Sequence, residues 1–71
     1  MNKPVYDLPD QIQAAFSKDE EMQDSDIEVL DNNGIITLRG TVPTRAARDK
    51  AEALIHNMEG VVDVINELDV V

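Results

Sequence analysis

Residues 34–70 constrain the fold more than any other part of the chain, because the hydrophobic period changes twice within them. Ile35 to Val42 alternate: Ile36, Leu38 and Val42 share one face with Gly40, while Ile35, Thr37, Arg39 and Thr41 take the other. Pro43 ends that strand. Thr44 then caps a helix whose apolar stripe is Ala47, Ala51, Leu54, Ile55 and Met58. Gly60 is expected to stop the helix. A last alternating strand over residues 61–71 is expected to place Val62, Val64, Leu68 and Val70 on one face.

The first half supplies the remaining elements. Asp7 reads as the N-cap of a first helix, with Pro9 in its opening turn and Asp10 near the positive end of the dipole. Leu8, Ile12, Ala15 and Phe16 form its apolar stripe. The helix is expected to fade over residues 18–23, where Asp19, Glu20 and Glu21 crowd the unfavourable end of the dipole, leaving Met22 as a satellite contact. After a turn at residues 24–26, residues 27–30 read as a short strand with Ile27 and Val29 on one side. Asp31-Asn32-Asn33-Gly34 is a hairpin signal, since Asn and Gly accept the positive φ that tight turns require.

The order helix-strand-strand-helix-strand predicts an α+β fold with a three-stranded mixed sheet and two helices packed on one face. The hairpin is antiparallel, and the strand–helix–strand half makes a right-handed crossover between parallel strands. Residues 1–7 are expected to be a poorly ordered extension and residues 8–71 a single domain. The opening MNKPVYD has no apolar run behind its lysine, so no secretory signal is read there, and an abrupt start fits a domain taken from a longer precursor. The opposite sheet face is left bare, and function is sought there first.

Composition excludes more than it assigns. No cysteine is present, which removes disulfides and thiolate metal sites. With one Phe and one Tyr, the core has to be aliphatic. Fifteen acidic against six basic residues give a net charge of −9, a field that repels nucleic-acid phosphates. No stretch reaches transmembrane length.

Specific chemistries fail on their spacing. His56 is the sole histidine, beside apolar Ile55 and without a nearby Ser or Cys, so no catalytic residue is assigned. The acidic run from Asp24 begins like a calcium loop. Val29 stands where that loop needs Gly, and Ile35 where it needs Glu, so no metal ligands are assigned. Gly34, Gly40 and Gly60 make no GXXG clamp for RNA. No cofactor is expected.

Two surfaces remain. Arg39, Arg45, Arg48 and Lys50, four of the six basic residues, are expected to gather at the start of the second helix, where unpaired N–H groups favour an anion. The plainer reading makes them solubilising charges. Leu30, Ile35, Thr37, Val61 and Ile65 are expected on the open sheet face, where the apolar ones form a patch suited to self-association or a protein partner.

At its motifs the chain resembles the BON domain, a bacterial module also called transport-associated. The hairpin strand NGIITLRGTV has Gly34, Leu38, Gly40 and Val42 in the family's places, and GVVDVINELDV has Gly60, Val61, Val64, Asn66, Leu68 and Val70. The first helix, PDQIQAAFSKDEEM, is similar to the family's opening, with Phe16 near its usual leucine and Glu20 in place of a frequent proline. Gly40 and Asn66 read as fold signatures: Gly40 admits a close backbone and Asn66 bonds a main-chain group. The resemblance implies a non-enzymatic module of the bacterial envelope or periplasm that contacts phospholipid surfaces. The basic residues would then touch headgroups. A protein-interaction module and a cation-responsive module stand as alternatives.

Overall fold

The computed structural model describes residues 7–71, so the expectation of a poorly ordered extension falls almost wholly on residues 1–6, outside the described part. The elements are α1 (Leu8–Lys18), a 3-10 turn (Glu20–Met22), β1 (Asp26–Asn32), β2 (Ile35–Val42), α2 (Arg45–His56) and β3 (Asp63–Val70). β2 is central, antiparallel to β1 and parallel to β3. The fold is α+β with the expected element order.

The sheet register shows how the core is built. Ile36 pairs with Asp31 and Val64, Leu38 with Val29 and Asn66, and Gly40 with Ile27 and Leu68. Cross-strand partners share a face, and this face is the one the helices close. Ile12 and Phe16 of α1 and Ala47, Ala51 and Ile55 of α2 join Val29, Ile36, Leu38, Val42 and Leu68 in one buried cluster. Met22, expected as a satellite, belongs to that cluster outright, because the 3-10 turn folds it back under α1.

Local chemistry sets the boundaries. Asn33 and Gly34 have φ of 53° and 90°, the double positive of a two-residue I′ hairpin. The Gly34 carbonyl also accepts from the Val62 N–H at 2.8 Å, which ties the chain entering β3 to the hairpin. Thr44 caps α2 by accepting from the Ala47 N–H at 3.0 Å. Asp7 occupies the N-cap of α1 without a side-chain bond. Pro9 at the second helical position has no N–H to offer, which removes one of the cap's two usual donors.

Three boundaries differ from the sequence reading. α2 ends at His56 with Asn57 as C-cap, and the Met58 N–H bonds the Ile55 carbonyl; Gly60 lies in the turn that follows rather than at the stop. β1 is longer than residues 27–30, since β2 pairs with it along its whole length. β3 begins only at Asp63, so Val62 stands before it and is exposed, and Val70 at the far end of this edge strand is exposed although its row partner Val42 on the central strand is buried.

Asn66 and Gly40 lock the layers. Asn66 Nδ2 donates to the Arg48 carbonyl at 3.1 Å and its Oδ1 accepts from the Leu68 N–H at 3.2 Å, so β3 is pinned to α2 through main-chain groups. Gly40 has φ of 130°, and a Cβ there would collide with the Asp26 carbonyl oxygen of β1. Gly40→Ala should therefore lose about 3 kcal/mol or more, from strain plus a clash that only backbone movement relieves. Urea unfolding measures this; a loss under about 1 kcal/mol would mean the two strands can part freely.

Candidate functional site

The bare face of the sheet is ordered in four cross-strand rows. From the hairpin end they read Asn32–Ile35–Asp63, Leu30–Thr37–Ile65, Glu28–Arg39–Glu67 and Asp26–Thr41–Asp69. Their parity is opposite to that of the core rows, so these side chains point away from both helices. Leu30, Ile35 and Ile65 are 42%, 37% and 44% exposed, well above the fully enclosed Ile36 and Leu38 on the other side. Together they make an apolar patch at the hairpin end.

The rest of the face is polar, with Asn32 and Asp63 flanking Ile35 in the first row. Asp26, Glu28, Glu67 and Asp69 fill the outer columns of the last two rows, with Arg39 and Thr41 between them. Arg39 Nε donates to Glu67 at 3.0 Å, with both side chains at least half exposed, a geometry worth less than about 1 kcal/mol. Val61 does not join this face. It precedes β3 and packs half-buried against the core, because the turn after α2 holds the chain on the helical side.

The four basic residues expected at α2 do not form one patch. Arg39 sits on the bare sheet face, with the helices behind it. Lys50 Nζ is taken by Asp19 at 3.0 Å and Glu21 at 3.2 Å. Arg45 and Arg48 stay on the first turns of α2, and neither has an ion-pair partner among the described residues. Sequence proximity brought the four together; β-strand parity and the 3-10 turn separate them.

The Lys50 contact also explains how acidic residues tolerate the end of α1. Asp19 caps the 3-10 turn by accepting from the Glu21 N–H at 2.9 Å, and the ammonium from α2 offsets the unfavourable dipole. The hydrogen bond from Lys50, with that from Glu21 N–H, holds the Asp19 carboxyl below its ordinary 3.8, and the hydrogen bonds that Lys50 donates to the Asp19 and Glu21 carboxylates raise it above 10.5.

No grouping of three or more potential metal ligands occurs among the described residues. His56 Nε2 lies 3.6 Å from the Glu52 carboxylate on the surface of α2. An open cleft of about 380 Å³ that the sequence reading missed runs between α1, the 3-10 turn and the start of β1. Gln13, Ser17, Gln23 and Ser25 line it with Phe16, Met22 and Ile27, so it offers no ionisable group. Only the tertiary path of the 3-10 turn creates it, and no local pattern announces it.

A family model described as the BON domain matches residues 7–71, nearly the whole chain. The chain belongs to the BON domain family. Comparison with curated proteins gives no match. Membership accords with a non-enzymatic binding module. No helix among the described residues of this BON domain is long and apolar enough to cross a membrane.

The Asp19–Lys50 contact carries a pH signature. A depressed carboxyl pKa means the contact stabilises the fold above the unfolded-state value near 3.8 and is lost as pH falls through the lower folded-state value. Lys50→Met should reduce this acid-side dependence, leaving the part due to the Glu21 N–H, and return the Asp19 titration, followed by carboxyl NMR shifts, towards its ordinary position. An unchanged Asp19 titration in that variant would show that the lysine is not its partner.

Proposed function

We propose that this BON domain is a non-enzymatic protein-binding module whose contact surface is the helix-free face of the sheet. The observation that carries this reading is the exposed Leu30–Thr37–Ile65 row with Ile35 beside it. Nothing among the described residues covers these side chains, and three clustered aliphatic groups on a stable sheet form a rigid platform for a partner.

Phospholipid contact is the second reading, and Arg45 and Arg48 favour it. They stand at the amino end of α2, where N–H groups and dipole suit an anionic headgroup. Two guanidinium groups on a chain of net charge −9 supply limited attraction to an anionic surface. The protein-binding reading therefore takes precedence.

Two measurements test the choice. Leu30→Ser and Ile65→Ser should each change unfolding free energy by less than about 1 kcal/mol, against about 2–5 kcal/mol for Leu38→Ala in the core. Equal losses would make the patch part of the fold instead of a contact surface. Anionic vesicles should leave the amides of residues 30, 35, 37 and 65 unshifted. Salt-sensitive vesicle binding with shifts confined to residues 45–50, abolished by Arg45→Glu with Arg48→Glu, would move the function to the lipid surface.

A further inference from the structure

We propose that the occupant of the bare sheet face is a cationic polypeptide segment, apolar at one end and rich in Lys or Arg at the other. This rests on that face being the contact surface. The register grades it along the strand direction: Leu30, Ile35 and Ile65, with Asn32, Thr37 and Asp63 beside them, lie in the two rows nearest the hairpin, and Asp26, Glu28, Glu67 and Asp69, with Arg39 and Thr41 between them, in the two rows beyond. Rows on one face are two residues apart, about 6.7 Å, so the last acidic row lies about 13 Å from the Leu30–Thr37–Ile65 row. A partner that fills the patch with aliphatic side chains brings its next residues over the carboxylates.

Charge decides among the occupants. Among the described residues Arg39 is the only cation on the face, and its bond to Glu67 shows that a guanidinium fits between the outer columns. Four carboxylates against that single arginine leave the far end net negative. A second copy of the chain docking through the same face would offer it either the same carboxylates or an apolar row, and like charges brought together across an interface are unfavourable. An anionic membrane meets the same repulsion. A segment carrying two or three basic side chains meets neither, and an amphipathic helix about 10 Å wide spans the three strands.

The test uses the whole chain and three synthetic peptides of about twelve residues. One has leucines at one end and lysines at the other, one replaces each lysine by glutamate, and one replaces each by glutamine. The lysine peptide should shift the amides of residues 30, 35, 37 and 65 and of 26, 28, 67 and 69, and should bind more weakly as salt rises. Asp26→Asn with Asp69→Asn should weaken it about tenfold, and Ile65→Ser should erase the shifts at the apolar end, both variants keeping the parent's remaining amide spectrum. Equal binding of the glutamate or glutamine peptide at the same rows would overturn the cationic assignment while leaving the contact face standing. So would a face that shifts only on self-association, seen as concentration-dependent sedimentation. Absence of any shift with the lysine peptide also overturns the assignment. Shifts lying elsewhere, unchanged by Leu30→Ser and Ile65→Ser, would overturn the contact face itself.

Discussion

The alternation along β2 governs the rest of the structure, because β2 is the only strand among the described residues that is paired on both edges. Ile36, Leu38 and Val42 can leave water only on one side, and the helices gather there. A slip of one residue in either ladder would carry a neighbouring strand's apolar residues to the wrong face. Gly40 lets β1 approach closely, and the Gly34 carbonyl in the hairpin turn holds the entry to β3, so both ladders are pinned by β2 and the turn that leads into it. The same alternation produces the bare face: burying one parity leaves the other to solvent or to a partner.

Electrostatics on this domain is decided by parity and path more than by composition. Fifteen carboxylates are spread over the chain, yet β-strand parity collects Asp26, Glu28, Glu67 and Asp69 at one end of one face. The same parity carries Arg39 away from the helix it precedes in sequence. Lys50 crosses from α2 to the acidic 3-10 turn, where it offsets charges that would otherwise oppose the end of α1. A basic cluster in sequence thus becomes one bridge, one sheet-face pair and two arginines without an ion-pair partner among the described residues.

Much of the fold was legible from local pattern. The hairpin, the bounds of β2, the Thr44 cap and the α2 stripe each rest on interactions within a few residues. Asn66 was legible as a main-chain partner because a polar residue on an apolar strand face has to find one. Met22 and the end of α2 were less so, because a 3-10 turn and an Asn57 cap compete closely with the alternatives and tertiary contacts choose between them. Of the surface residues, Leu30, Ile35, Thr37 and Ile65 came from strand parity, which survives folding. Val61 failed because it precedes the strand whose parity was applied to it.

By itself, then, the sequence determined the kinds of element, their order and which side of each is apolar, since these follow from steric preference and periodicity along a few neighbouring residues. Only the tertiary structure decided which distant residues share a row, which cations are already engaged and where a cleft opens. Those properties depend on how separate segments are brought together, and Coulomb and packing energies act through space rather than along the chain.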